Sequence, residues 1–226
     1  MKAKLIDGYP YLDYSPPTKT DEDILKTSID YFEKMSKRRS VRDFSDKDIS
    51  IEVIKNIVKT AGTAPSGANK QPWTFCIVKD PEIKSKIRLA AEQEEKESYE
   101  ARMSKEWLED LKHLGTNWQK PFLETAPYLI VVFKKVYDLD ERGQKRNNYY
   151  VQESLGIACG ILISAIQNAG LVTLTHTPSP MNFLSKILNR PSNEKPYLLL
   201  PVGHPASECW VPDIQRKNME EITEIY

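Results

Sequence analysis

Apolar residues recur along the chain with two periods. Between Asp21 and Lys37, residues Ile24, Leu25, Ile29, Phe32 and Met35 form one helical stripe. Ser50 stands as an N-cap before Ile51–Ala61, whose Val53, Ile54, Ile57 and Val58 point inward. Trp73–Lys79 follows Pro72 and reads as a strand. Asp80-Pro81-Glu82 starts a helix, with aspartate at the N-cap, proline at the first helical position and an acid in the first turn. That helix runs toward Met103, and a second polar-aromatic segment continues to Trp118. Pro127–Val136 is a buried strand, and Asp138–Asn148 is charged and turn-like. Ser154–Ala169 is apolar nearly all round, hence a core helix. Its Gly156 and Gly160 share one face, which points to close packing against another backbone. Leu171–Thr175 and Tyr197–Val202 add two strands, and Phe183–Leu188 a short helix.

Helices therefore flank a sheet of at least four strands in the order α-α-β-α-β-α-β-α-β. That order leaves no room for a doubly wound dinucleotide fold, and GxGxxG and the phosphate-loop pattern are both absent. Residues 1–20, with Pro10, Pro16 and Pro17 and few aliphatics, read as an extended arm before a domain at 21–205. The tail, 206–226, is polar with spaced apolar residues and is long enough to reach across a neighbouring subunit.

Composition narrows the function. Hydrophobic residues make up 40% and charged residues 28%, an ordinary globular balance that excludes wholesale disorder. Thirty-two Lys and Arg offset 32 Asp and Glu. A protein built for nucleic acid or anionic lipid carries a basic excess, so neither is an expected partner. Three cysteines form no CxxC, and with only His113, His176 and His204 no metal-ligand set is complete. Reduced thiols, the lack of a signal-peptide core and an apolar run (Ile157–Ile166) about half the length of a membrane span give the expectation of a soluble, cytoplasmic protein.

Four constellations carry possible chemistry, each with a plainer alternative. Arg38-Arg39-Ser40-Val41-Arg42 supplies guanidinium forks and a hydroxyl that match a phosphate, or it is a solvated basic turn. Thr63–Asn69 is a run of small residues that lets a flat ring approach the backbone, or it is a flexible loop. The run from Glu92 to Glu100 sets five carboxylates against one lysine, and Glu95 and Tyr99 share one helical face. It is either a poorly self-supporting lid or a solvated surface. Thr173, Thr175 and Thr177 alternate toward a strand end, as a site edge or as ordinary strand threonines.

From Arg38 to Lys217 these pieces together resemble the nitroreductase-fold flavoproteins, and within them the members that remove halogen from tyrosines. The resemblance is carried by RRSVR (Arg38–Arg42), TAGTAPSGANKQPWTF (Thr60–Phe75), EEKESYEARM (Glu94–Met103), LGTNWQK (Leu114–Lys120), the stretch Ile157–Pro178, LLPVGHP (Leu199–Pro205) and VPDIQRK (Val211–Lys217). The first two motifs point to the fold, and the Glu–Tyr–Lys set to the substrate.

The resemblance implies an α+β fold, a three-layer α/β/α sandwich around a mixed sheet, in a homodimer with exchanged terminal extensions. It implies FMN, with Arg38, Arg39, Ser40, Val41 and Arg216 around its phosphate side, Arg42 at the N1/O2 edge, Pro65 and Ser66 reaching in from the partner chain, and Thr175, His176 and Thr177 by the ring. The Thr177 hydroxyl would donate to N5, so Thr177 and Arg42 carry the catalytic roles. The substrate implied is a halotyrosine zwitterion such as 3-iodo-L-tyrosine. Its ammonium would meet Glu95, its carboxylate Tyr99 and Lys120, and its phenolate the Ala68 N–H. The lid, about 92–120, would order only once the ammonium neutralises Glu95. NAD(P)H or a reductase would supply the electrons. The alternative on the same fold is a general NAD(P)H-dependent nitroreductase or quinone reductase. The membrane-anchoring segment of animal members has no counterpart in this sequence, His176 stands where they carry a hydroxyl, and 178–188 matches poorly.

Overall fold

In the computed structural model, residues 2–226 are described, and they form two units that divide between Lys37 and Arg38. In the first, β1 (Ala3–Ile6) and β2 (Tyr9–Leu12) pair antiparallel, so the expected extended arm contains a hairpin. Its turn residues, Asp7 at φ 51° and Gly8 at φ 82°, supply the left-handed pair that a two-residue hairpin turn requires. Helix α1 (Asp21–Ser36) follows, capped by the Thr20 hydroxyl accepting from the Asp23 N–H. It buries none of its residues, and Ile24, Leu25, Ile29 and Phe32 are all exposed.

The second unit is organised by its apolar runs. Its elements in order are α2 (Ile51–Ala61), β3 (Trp73–Val78), α3 (Pro81–Glu97), α4 (Lys105–Lys112), α5 (Phe122–Thr125), β4 (Tyr128–Lys135), β5 (Tyr137–Leu139), β6 (Lys145–Asn147), α6 (Val151–Asn168), β7 (Val172–Thr173), α7 (Asn182–Ile187) and β8 (Glu194–Gly203). Ser50 and Asp80 cap α2 and α3 as their spacing predicts. Helix α3 stops at Glu97, short of Met103, and one π-helical turn, Ser98–Arg102, completes the span. The turn-like stretch after β4 closes on itself as the β5–β6 hairpin.

Strand β4 is buried on both faces, which explains its unbroken apolar run. Tyr128, Ile130 and Val132 pack with α2 and α6 on one side. Leu129, Val131 and Phe133 pack with residues of α3, α5 and α7 on the other. The period of two along one strand thus generates the three layers. The sheet order is β3-β4-β8-β7. Every ladder is antiparallel, so the expected mixed sheet reduces to a single parallel bridge, Ser40 to Thr173, among the described residues. The reason is local: residues 38–42 pair at one position only before turning away. The glycine face of α6 is open in the single chain. A Cβ at Gly160 would meet nothing within 4 Å, and at Gly156 only the Tyr197 hydroxyl at 3.7 Å, so no backbone among the described residues packs there.

Candidate functional site

Two cavities meet at Arg42, which lines both. The first is built from Arg38, Arg39, Ser40, Arg42 and Arg216, with Leu114, Pro212 and Ile214. None of its lining residues is acidic. Arg216 donates to the Arg38 carbonyl at 2.7 Å, and Arg39 donates to the Pro212 carbonyl. Asp43 takes the Trp210 N–H at 3.0 Å, so as far as Arg216 the tail folds back on its own chain. Burial holds the Arg38 guanidinium below its usual range, and the like charges of Arg216 and Arg39 push the same way. Guanidiniums crowded along one cavity suit a polyanion such as a phosphate. Val41 stands apart from this wall. Its side chain is buried in the core and its N–H is spent on the Thr173 carbonyl at 3.2 Å.

The second cavity brings Arg42, Glu95, Tyr99, Lys120, Thr175, His176 and Thr177 together, with Phe122, Trp107 and Leu111 as apolar walls. Two elements supply the charged set. Helix α3 and its π-helical turn present Glu95 and Tyr99, and the segment before α5 presents Lys120. Lys120 Nζ lies 3.5 Å from Glu95 Oε2, with side chains 5% and 13% exposed. It also sits 5.7 Å from the Tyr99 ring centre, donates to Thr116 Oγ1 at 3.3 Å, and donates to the Asn117 carbonyl. Burial pushes the Glu95 carboxyl up against the pull of Lys120. Burial pushes the Lys120 ammonium down against the pull of Glu95. Tyr99 is raised, chiefly by burial.

Beyond β7 the chain keeps strand-like alternation. Thr175 and Thr177 are exposed on one side, and His176 is buried on the other. Thr173 belongs to the core, donating to the Pro201 carbonyl at 2.7 Å, so only the outer two threonines reach the site. His176 spends both backbone groups on Leu199, its ring meets Phe122 edge-on, and its Nε2 has no hydrogen-bond partner among the described residues. Burial, with Lys120 and Arg42 nearby, lowers its pKa to about 3, so the ring is neutral.

The acidic lid differs from the expectation that only a bound ammonium relieves its repulsion. Each carboxylate has a cation in the chain. Glu92 pairs with Arg88, Glu94 and Glu97 with Arg102, Glu95 with Lys120, and Glu100 with Lys96. Arg102 and Lys120 lie outside the run or at its end, so its own composition understated its support. The loop at 63–71 is likewise strained rather than slack. Ala68, Asn69 and Gln71 have φ of 49°, 53° and 47°. The Ser66 hydroxyl accepts from the Gln71 N–H at 2.9 Å, and a Cβ at Gly67 would come within 3.0 Å of the Tyr149 carbonyl. Pro65, Ser66 and Ala68 line neither cavity of this chain. Sequence reasoning missed Thr116 and Glu92. Thr116 stands four residues before Lys120 in a motif whose other members drew the attention.

Residues 35–204 match the nitroreductase family, and the chain belongs to it. It is 61% identical over 216 residues to the iodotyrosine deiodinase of Haliscomenobacter hydrossis, covering 96% of this chain and 97% of that one. It is 49% identical over 203 residues to iodotyrosine deiodinase 1 of Homo sapiens, covering 89% of this chain and 70% of that one. A crystal structure of oxidized iodotyrosine deiodinase bound to FMN and 3-iodo-L-tyrosine matches with TM-score 0.72 and 33% identity, over 87% of this chain and 98% of that one.

Proposed function

We propose that this chain is an FMN-dependent oxidoreductase that removes iodide reductively from 3-iodo-L-tyrosine, yielding L-tyrosine. Two electrons and a proton replace the carbon–iodine bond by carbon–hydrogen, and iodide leaves. The observation that carries the reading is the meeting of Glu95, Tyr99 and Lys120 in one cavity with Thr175 and Thr177, beside a second cavity rich in arginine. Similarity to a deiodinase solved with FMN and 3-iodo-L-tyrosine supports it.

The residues fit the cofactor. Arg38, Arg39, Ser40 and Arg216 line one cavity and offer a phosphate donors and positive charge. Bound FMN would supply the reducing electrons. Arg42, common to both cavities, would hold negative charge at the pyrimidine edge of the ring, and the Thr177 hydroxyl would donate to N5. Glu95 takes the substrate ammonium, and Tyr99 and Lys120 take its carboxylate. Each charge is then desolvated with an opposite one, which favours an amino acid over a bare phenol.

The working form is a homodimer. Its support is the exposed stripe of α1, the open glycine face of α6 and the exposed Met219, Ile222 and Ile225 of the tail. In that dimer the terminal extensions exchange, and Pro65, Ser66 and the Ala68 N–H serve the partner's site. NAD(P)H or a reductase supplies electrons in the cytoplasm. Among the described residues no helix is long and apolar enough to cross a membrane.

The test is anaerobic mixing of FMN-loaded, chemically reduced protein with 3-iodo-L-tyrosine. Flavin reoxidation with matching iodide release is expected. Reoxidation by nitroaromatics or quinones but not by iodotyrosine would overturn the reading.

A further inference from the structure

Helix α3 carries a polar stripe that faces protein. Lys84, Arg88, Glu92 and Glu95 recur at spacings of four, four and three, so they share one side of the helix. Each engages the segment that follows α4. Lys84 Nζ donates to the carbonyls of Glu124 and Ala126, both at 2.8 Å. Arg88 Nη1 donates to Glu124 at 2.9 Å and Arg88 Nε to Glu92 Oε1 at 2.8 Å. The same Glu92 oxygen accepts the backbone N–H of Lys120 at 2.6 Å. Glu95, one turn on, meets the Lys120 ammonium. Lys120 is thus held at two points by one helix, its amide at one rung and its charge at the next. The Glu92 side chain is only 13% exposed, so this is no surface pairing.

We infer that Glu92 is a positioning residue for the substrate clamp, fixing the Lys120 backbone one helical turn from Glu95 and so setting the spacing between the cation and the anion that hold an amino-acid head group. This rests on the clamp proposed above. A lysine side chain is long and rotatable, and one with a loose backbone would follow Glu95 and close the gap. With its amide tied to Glu92, Lys120 keeps a defined approach, and an ammonium and carboxylate on one carbon demand such precision. A halophenol without a head group makes no use of it.

The experiment titrates flavin fluorescence of the FMN-loaded protein with 3-iodo-L-tyrosine and with 2-iodophenol. Wild type should prefer iodotyrosine, and equal affinity would overturn the clamp itself. Given that preference, Glu92→Ala should weaken iodotyrosine about tenfold or more, the worth of a hydrogen bond to a charged group, with iodophenol unchanged. Glu92→Gln, which keeps an acceptor for the Lys120 N–H, should restore most of the loss. In a Lys120→Ala background, Glu92→Ala should add nothing further. Equal weakening of both ligands, an unchanged preference or an additive double variant would overturn the inference while leaving the clamp standing. Should the alanine variant not fold, Glu92→Asp reads the same preference. Its loss supports the spacing role, and its retention overturns it.

Discussion

The two cavities joined at Arg42 solve opposite electrostatic problems. One gathers Arg38, Arg39 and Arg216 along one wall, where the like charges of Arg216 and Arg39 push the Arg38 guanidinium down. The other buries Glu95 and Lys120 against each other, so that pair is already satisfied. A like-charged site gains from any polyanion and is selective only through shape. An oppositely charged, buried pair yields only to a ligand that offers both partners at once, because half an exchange leaves one ion buried alone. Affinity is built into the first and selectivity into the second.

The largest effect that would sharpen this contrast comes from breaking the buried pair. Lys120→Ala leaves the substrate carboxylate desolvated without its proposed cation, a loss of one partner of a buried pair that typically costs about 3–5 kcal/mol. Iodotyrosine affinity should fall by roughly two to three orders of magnitude, with FMN affinity nearly unchanged. Parallel titrations of both ligands decide it. Comparable losses for FMN and iodotyrosine would show that the two cavities are not separate devices.

The next effect is on the arginine cavity. Arg38→Ala removes a charge-assisted donor worth about 1.5–3 kcal/mol, so FMN should bind roughly ten- to a hundredfold more weakly. The flavin-free protein should hold or gain thermal stability, since the substitution relieves repulsion from Arg39 and Arg216. A flavin-free variant that melts much earlier than wild type would mean the cluster is held by packing that the charges do not oppose.

A smaller and purely kinetic effect is expected at the strand end that lines the second cavity. Thr177→Ala should slow iodide release about tenfold or more by deleting the hydrogen bond proposed between its hydroxyl and the flavin N5. FMN and iodotyrosine affinities should stay close to wild type. Stopped-flow mixing of the reduced protein with substrate measures the step. An unchanged rate removes Thr177 from the catalytic role.

How far the sequence could be read follows the same division between local and distant causes. The caps at Ser50 and Asp80 and the unbroken apolar run of β4 act within a few residues, and the helices and strand they predict are present. Glu95 and Tyr99 were legible as one helical face. The carboxylate run misled because its counter-charges, Arg88, Arg102 and Lys120, arrive from before, after and far beyond it. The glycines of α6 and the stripe of α1 were legible as faces, but among the described residues close packing is missing at Gly160 and no residue of α1 is buried, so what covers them could not be read from local pattern. Thr173 looked equal to Thr175 and Thr177, yet strand alternation alone could not say that β8 would claim its hydroxyl.

The smallest effect separates the buried pair from its neutral neighbour. His176 is packed under Glu95, Lys120 and Arg42, with Phe122 across its ring. Its pKa falls to about 3 from an ordinary value of 6.5, mainly by burial. The unfolded chain therefore takes up a proton below about pH 6.5 that the folded chain refuses, and stability contributed by His176 is lost as pH falls from there toward 3. Glu95 runs the other way. Its raised pKa means the folded chain takes a proton more readily than the unfolded one, so acidification relieves its cost. Comparing wild type with His176→Asn isolates the histidine. Between about pH 6.5 and 5 the wild type should lose stability faster than the variant, by up to about 1.4 kcal/mol per pH unit. Thermal melts across that range, at fixed FMN, measure it. Parallel slopes would mean that His176 is protonated within the folded protein and adds a positive charge to a cavity that already holds Glu95, Lys120 and Arg42.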